Sequence, residues 1–297
     1  MSTVLDAWLL YDELVLSTLT QKEQDTERGR WKKHIAPVFA TIDLEAIKTL
    51  DVLRFKRHLE KKELSPQSVL HCLSLLRTVL RKAQFLELYE GKLPFFDMPK
   101  FDNRRQRFLS HDEAAALLHH MKLYSILWHD ICLFALQTGL RASEIFNLKR
   151  EQVSFNYKII TIFDSKNNLT RHVPMNNIAE KILLKHLPSA PRDLIFTNSG
   201  RPIQKVSKFF KAALKKTGIN EGVSDRRSKV VFHTLRHTFA SWLVQLPAGT
   251  PLHLVSELLG HKTLRMTQRY AHLDSSQRLR AVQALAKVFA DGKRNTG

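Results

Sequence analysis

The chain has 297 residues, 43% hydrophobic and 25% charged, with a formal net charge of +19. That length suits one or two domains with a real core, and the composition is that of a globular protein, not a disordered or fibrous one. No apolar run approaches the ~18 residues of a membrane span, and the acidic start MSTVLDAWLLYDELVL lacks a signal peptide's basic region, so neither an anchor nor a leader is expected.

The charge is uneven. Residues 1–106 hold 18 Lys and Arg against 15 Asp and Glu, whereas residues 107–297 hold 29 against 13. A cationic field of this size favours polyanions, nucleic acid first and an anionic membrane surface second. No amphipathic anchor stands apart from the globular helices, so the membrane reading is set aside. Cys72 and Cys132 lie in apolar stretches and read as buried, reduced thiols.

In chain order, residues 1–90 read as several helices. VLDAWLLYDELVLSTL carries apolar residues at helical spacing. KEQDTERGRWKKHIAPVFA reads as a charged helix stopping near Pro37, and residues 48–62 form a third. Ser65-Pro66 opens a fourth, a cap residue followed by proline at the first helical position, with Val69, Leu73, Leu76 and Leu80 on one side. Residues 91–108 break the pattern with Gly, two Pro and the cluster Arg104, Arg105, Arg107; they read as a linker lying against a polyanion or as a solvated loop.

Ser110-His111-Asp112-Glu113 is a capping box opening a second unit. Helices continue through Ile126–Gln137 to a stop at Gly139, and RASEIFNLKREQV starts anew. KIITIF and LTRHVPM flank a turn as a β-hairpin with Lys166 at its tip, and DLIFTNSGRPI is a further extended piece. Residues 204–217 form an amphipathic helix in which Lys205, Lys208, Lys211, Lys215 and Lys216 share an arc of about 140°. That stripe faces phosphates or is a solvated face. The tail from Ser275 holds a short helix with Val282, Leu285, Val288 and Phe289 on one side.

The stretch from His233 to Tyr270 concentrates groups suited to phosphate chemistry, and Arg141 lies upstream in TGLRASEIFNL. Two guanidiniums, Arg141 and Arg236, can clamp the two non-bridging oxygens of a phosphodiester as they gain charge, without a metal. Tyr270 can attack to give a phosphotyrosine, or be a structural tyrosine. His233 is placed to accept its proton and His261 to donate to a phosphate oxygen. Lys166 can protonate the leaving 5′-oxygen, or be an ordinary basic turn residue. HTLRH lacks the glutamate of a metalloprotease helix, so His233 and His237 are not expected to bind metal; His237 reads as a structural hydrogen-bonding residue. Glu144, three residues after Arg141, either buttresses a guanidinium or forms a surface pair.

TGLRASEIFNL, HTLRHTFASWL, LLGHKTLRMTQRYAHL and the lysine of FDSKNNLTRHVPM together resemble the tyrosine recombinases of the phage-integrase type. The resemblance covers residues 107–290 and includes the order Arg, Lys, His-x-x-Arg, His, Tyr and the nine-residue step from His261 to Tyr270. Thr234, where many relatives have an acid, and Gln268-Arg269 before the tyrosine are its small departures. It implies a mainly α fold with a small β-sheet or hairpin in the second domain. Residues 1–98 would be a helical, SAM-like core-binding domain, 99–108 a linker and 109–297 the α+β catalytic domain with its tail helix.

The resemblance further implies that Arg141 and Arg236 clamp the scissile phosphate, Lys166 is the general acid, His233 an acid/base, His261 a phosphate ligand and Tyr270 the nucleophile. The product would be a 3′-phosphotyrosyl link, resolved by a 5′-hydroxyl of a partner duplex through a Holliday junction. No cofactor or metal is implied. The implied partners are double-stranded DNA, which the two domains would clamp, and three further copies in a tetrameric synapse, with the tail helix packed on a neighbouring protomer. Accessory DNA-bending or directionality factors are a further expected class. The start of the helical unit near Met1 favours a two-domain enzyme without an arm-binding domain.

The activity expected is site-specific recombination in the cytoplasm, at the nucleoid, in integration or excision of a mobile element. The alternatives are Xer-like dimer resolution, a type IB topoisomerase, or a catalytically silent DNA-binding regulator.

Overall fold

A computed structural model describes residues 2–102, 107–164, 169–247 and 249–273. The chain divides into two units, Met1–Asn103 and Arg104–Gly297. Lys166, Arg104, Arg105 and the tail from Asp274 onward lie outside the described residues.

In the first unit, α1 (Val4–Leu14) opens on a capping box: the Asp6 carboxylate accepts from the Thr3 N–H at 2.7 Å, and Thr3 Oγ1 accepts from the Asp6 N–H at 3.3 Å. Next comes α2 (Gln21–Arg30), and the helical run it opens ends at Phe39, near Pro37 as expected, but passes through the proline to get there. A π turn, Trp31–Ile35, carries the chain straight into α3 (Ala36–Phe39). There the Ala36 N–H reaches back five residues to the Trp31 carbonyl. Widening the turn keeps the proline ring off the preceding carbonyls, so the helix passes a residue that ordinarily breaks it. The π turn also buries Trp31, stacked on Trp8 at 4.5 Å between ring centroids, and Ile35.

Two longer helices, α4 (Thr49–Lys61) and α5 (Pro66–Phe85), complete this unit. Ser65 caps α5 as expected, its Oγ accepting from the Ser68 N–H at 3.3 Å. Val69, Leu73, Leu76 and Leu80 are all buried, as their spacing predicts. Phe39 meets Phe55 edge-on at 5.1 Å in the same core. The chain after α5, expected to leave the helical pattern at residue 91, is extended but still packs here: Phe96 is buried in this core, and the Phe95 N–H donates to Thr49 Oγ1 at 3.0 Å.

The second unit begins with α6 (His111–Tyr124), capped by the box read from the sequence: Ser110 Oγ accepts from the Glu113 N–H at 3.1 Å, and Glu113 from the Ser110 N–H at 2.9 Å. Arg107, grouped in the sequence with a polyanion-facing cluster, is turned onto Glu113 and the Phe108 carbonyl. Ser125 then separates α6 from α7 (Ile126–Thr138). Apolar residues ring α7 on all sides, which suits a helix buried in the middle of a domain; Ile131, Cys132 and Phe134 are fully enclosed. Even its buried charge is satisfied. Asp130 accepts from Lys185 Nζ at 2.6 Å and faces His186 Nε2 at 2.8 Å and His129 Nδ1 at 2.9 Å.

A short α8 (Ala142–Phe146) leads to β1 (Val153–Ser154), β2 (Ile159–Asp164) and β3 (Leu169–Pro174). The expected hairpin is β2–β3; β1 joins it as an unforeseen third antiparallel strand. Ile160 lies opposite Val173 and Ile162 opposite Arg171, so these four face the same side, toward the core. After α9 (Asn177–Lys185), β4 (Thr197–Asn198) and β5 (Arg201–Pro202) form a tight hairpin whose turn residues Ser199 and Gly200 both have positive φ.

Finally, α10 (Lys208–Lys216) starts later than the sequence suggested, because Ser207 caps it. Lys205 therefore precedes the helix, while Lys208, Lys211, Lys215 and Lys216 stay on it, exposed. Then α11 (Phe232–Gln245) packs along α7, and α12 (Leu252–Leu259) follows. Among the described residues no helix is long and apolar enough to cross a membrane.

Candidate active site

Helix ends build this site. At the end of α7, Gly139 is left-handed with φ +65°, and a Cβ there would lie 2.3 Å from Phe239 Cδ1 on α11. Only glycine turns the chain so close to that helix. The turn aims the Gly139 carbonyl at Arg236, whose Nη1 donates to it at 2.8 Å. At the end of α12, Gly260 repeats the device with φ +61°, and a Cβ there would lie 2.7 Å from Arg171 Cδ. The Gly260 carbonyl accepts from Arg141 Nη2 at 3.2 Å, and the neighbouring Leu259 carbonyl accepts from Arg236 Nη2. The two arginines named from the sequence are thus brought to one place by two glycine-ended helices.

Glu144 ties them together. Its carboxylate accepts from the Arg141 N–H at 2.8 Å, from Arg141 Nη1 at 2.8 Å, and from Arg171 Nη1 and Nη2 at 3.0 and 2.7 Å; Arg236 Nη1 is 3.9 Å away. Of its two sequence readings, the buttress is the one the structure shows. Burial alone would raise its carboxyl, but the Arg171 and Arg141 hydrogen bonds outweigh that and hold it below the usual carboxylate range. Burial first, then the Arg141 charge, pull the Arg236 guanidinium down to about 9, which leaves it cationic at neutral pH. One carboxylate among three guanidiniums leaves an excess of positive charge half-open to solvent, a place made for an anion.

Arg171 is the member that the sequence reading missed. The signal was there: in LTRHVPM Arg171 shares the face of the alternation with the buried Val173, and an arginine on the core-facing side of a strand needs a buried partner.

On α11, His233, Arg236 and His237 share one face, because residues three and four apart do. His233 is exposed, on the rim of a cavity of about 700 Å³ that Lys211, Lys215 and Lys229 also line. Its ring meets His237 edge-on at 4.8 Å between centroids. His237 is buried, and its Nδ1 lies 2.6 Å from Tyr270 Oη. The structural hydrogen bond expected of His237 is present, and its partner is the tyrosine of the motif. Burial, then the surrounding His233, Arg269, Arg236 and His261, lower His237 to about 3, so it is neutral.

Tyr270 is itself only 5% exposed, in one buried cluster with Ala240, Val244, Val255 and Leu259. Burial pushes its phenol up to about 12, against Arg269 and Arg236. Neutral imidazole and protonated phenol therefore share an uncharged hydrogen bond.

His261 follows Gly260, and its Nδ1 lies 2.7 Å from Thr267 Oγ1. Burial, then Arg236, Arg141, Arg269 and His233, lower it to about 3. When the Thr267 hydroxyl donates to Nδ1, the neutral His261 ring carries its own proton on Nε2. The structure thus gathers Arg141, Arg236, His233, His261 and Tyr270 around the ends of α7, α11 and α12. Lys166 lies outside the described residues, between two strands whose pairing runs to Asp164 opposite Leu169.

Comparison with known proteins agrees with this arrangement. The family described as the phage integrase family matches residues 107–277, which includes every residue of the site. The integrase of Salmonella phage P22 is 30% identical over 234 residues, covering 73% of this chain and 57% of that protein. The tyrosine recombinase XerD of Staphylococcus aureus is 29% identical over 234 residues, covering 74% and 76%.

Among solved structures, the Tn1549 transposon integrase in complex with circular intermediate DNA superposes with a TM-score of 0.74 at 17% identity, over 91% of this chain and 95% of that one. A lambda integrase tetramer bound to a Holliday junction gives a TM-score of 0.70 at 20% identity, over 89% and 78%. These likenesses establish the fold, mainly α with small sheets, and with the family match over more than half of its length they place the chain in the phage integrase family, the tyrosine-type recombinases.

Proposed function

We propose that this chain is a site-specific DNA recombinase that cuts and rejoins DNA through a 3′-phosphotyrosyl intermediate, in integration or excision of a mobile element inside the cell. The observation that carries this reading is the pair Arg141 and Arg236, fixed by helix-end carbonyls and Glu144 in a site with positive charge to spare. In this reading the guanidiniums bind the two non-bridging oxygens of the scissile phosphate, and His261 donates to one of them from Nε2. His233 serves as the exposed acid/base. Tyr270 Oη attacks phosphorus, and the leaving 5′-oxygen takes a proton from Lys166. A 5′-hydroxyl of a second duplex reverses the step, so the covalent link conserves the phosphodiester and no cofactor is consumed.

The Tn1549 and lambda integrases seen with DNA, the latter also as a tetramer on a Holliday junction, support double-stranded DNA as substrate and a tetrameric synapse as the working assembly. The helical unit of residues 1–98 is proposed as the core-binding domain, joined through 99–108 to the catalytic domain of 109–297. Accessory DNA-bending or directionality factors belong to the same proposal.

The test is covalent capture. The full chain is incubated with a randomised pool of nicked duplexes, and detergent-resistant adducts are sequenced and mapped by mass spectrometry. The expected result is a DNA 3′-phosphate on Tyr270 and no adduct from Tyr270→Phe. An adduct that survives in Tyr270→Phe, or none from the unaltered chain, overturns the reading. Joining two captured duplexes, as opposed to relaxing supercoils alone, separates a recombinase from a topoisomerase.

A further inference from the structure

Resting on that reading, we infer that His237, read from the sequence only as a structural residue, accepts the proton of the Tyr270 phenol as Tyr270 attacks phosphorus. The geometry is direct. Nδ1 of His237 lies 2.6 Å from Tyr270 Oη, and both groups are buried. Nδ1 is the one hydrogen-bond partner of the phenol among the described residues. If Nδ1 carried a proton and donated, the phenol's own O–H would be a buried donor with nothing to receive it, which is costly. The arrangement that satisfies both groups has Tyr270 donating and Nδ1 accepting, with the imidazole proton on Nε2.

The step balances. The phenol O–H bond breaks and its proton goes to Nδ1. The oxygen's electron pair forms the bond to phosphorus, and the bond from phosphorus to the 5′-oxygen breaks as that oxygen takes the Lys166 proton. A buried phenol is a poor nucleophile while protonated. As its oxygen bonds to phosphorus its acidity climbs steeply, and a neutral imidazole already in hydrogen-bond contact needs no rearrangement to take the proton.

The groups facing His237 set the cost of the imidazolium so formed. Arg236 and His233 on α11, His261 beyond α12 and Arg269 beside the tyrosine all oppose it. The incoming phosphate, an anion held by the guanidiniums, offsets them, so the proton moves only when substrate is bound. Free protein therefore keeps its nucleophile protonated, covered and inert. This leaves the exposed His233 for the phosphate side of the reaction.

The experiment uses a nicked duplex recovered by covalent capture with the unaltered full chain, and reads single-turnover adduct formation. His237→Asn puts an amide oxygen near the Nδ1 position: it can still accept the phenol hydrogen bond but cannot take the proton. Adduct formation is expected to slow by about 10²–10³-fold, with DNA binding unchanged and a rate that rises with pH as hydroxide replaces the base. Incorporating a fluorinated, more acidic tyrosine at position 270 is expected to restore most of the rate in His237→Asn and to change His233→Asn little.

Rescue of His233→Asn in place of His237→Asn, or an unaltered rate and pH profile in His237→Asn, overturns the inference while leaving Tyr270 as nucleophile. An adduct in Tyr270→Phe sinks the underlying reading instead. Should His237→Asn not fold, nitrogen NMR of the unaltered protein decides: an unprotonated His237 Nδ1 is expected, and a protonated Nδ1 overturns the assignment.

Discussion

The two halves of the site are held by opposite physics. On one side, three guanidiniums are fixed by charge-assisted bonds to Glu144 and by carbonyls at the ends of α7 and α12. On the other, Tyr270, His237, His261 and Thr267 are joined by short bonds between neutral groups, and burial suppresses every charge there. The first half is built for a permanent charge and is fixed before substrate arrives. The second keeps its protons on neutral groups, which under the inference above would move only when a phosphate changes the local field. For the recombinase proposed above, this division would keep binding always ready and attack not.

The charged half should break most sharply. Arg236→Lys removes the planar fork that spans the Gly139 and Leu259 carbonyls and leaves one ammonium for several acceptors. Single-turnover cleavage is expected to fall about 10³-fold, as for loss of an oxyanion donor, with duplex affinity in a filter-binding assay changed only a few fold. A comparable loss in affinity would show that Arg236 binds the ground state as strongly as the transition state.

Glu144→Gln comes next. It strips the one negative charge from three guanidiniums, and an uncompensated buried cation costs about 3 kcal/mol, measurable by urea denaturation. The pH dependence has a definite sign. The Glu144 carboxyl is lower in the folded protein than in the unfolded chain, so its contribution is complete above the unfolded value of roughly 4.3 and is lost as pH falls through the folded value. Asp130 has the same sign: burial opposes, but hydrogen bonds from Lys185, His129 and His186 win. The difference between Glu144→Gln and the unaltered protein should therefore shrink below about pH 4 without closing the whole acid transition.

Gly139→Ala tests whether the carbonyl clamp needs its helix end. A left-handed alanine costs about 1 kcal/mol, and its Cβ must also displace the Phe239 ring, for a total of about 2–4 kcal/mol. Cleavage should fall along with stability, because the Gly139 carbonyl moves with the turn.

Much of this was legible beforehand, and the reasons can be named residue by residue. Gly139 and Gly260 end helices because glycine alone tolerates the left-handed conformation, and the motif residues sit beside them because those turns aim carbonyls. The capping boxes and the stripe on α5 follow from local spacing. What escaped was non-local. Nothing near Pro37 announces a π turn, which forms because Trp31 and Ile35 find a core to fill. Arg171 was read as part of a hairpin and not as a ligand of Glu144, 27 positions away. His237 looked structural because its partner, Tyr270, lies 33 positions on. Lys166, the group placed at the hairpin tip, remains an assignment from the sequence.

On the neutral half the expected effects are smaller. Thr267→Val keeps the shape of a fully buried side chain but withdraws the hydroxyl that His261 Nδ1 meets. The ring then loses the contact that fixes its proton on Nε2. Cleavage should drop about tenfold and stability by about 1 kcal/mol, the value of one hydrogen bond. Nitrogen NMR of His261 should show mixed tautomers; a single unchanged tautomer would assign the role to another contact.

The smallest effect lies outside the site and separates its fixed charge from the general field of the domain. Lys208, Lys211, Lys215 and Lys216 are exposed on α10, and Lys211 and Lys215 line the cavity whose rim His233 occupies. If the stripe tracks a phosphate backbone, each lysine releases counterions on binding, and the salt dependence of affinity counts them. Replacing Lys211 and Lys215 together by alanine should lower the slope of log affinity against log salt by about 2, since each phosphate neutralised contributes close to 0.9. Affinity falls with it at low salt and much less at high salt, while the cleavage rate of bound complex stays put. An unchanged slope would return the stripe to the role of a solvated face. The excess positive charge of this domain would then act at the site through Arg141, Arg171 and Arg236 alone, which is the sharpest form of the contrast between its two halves.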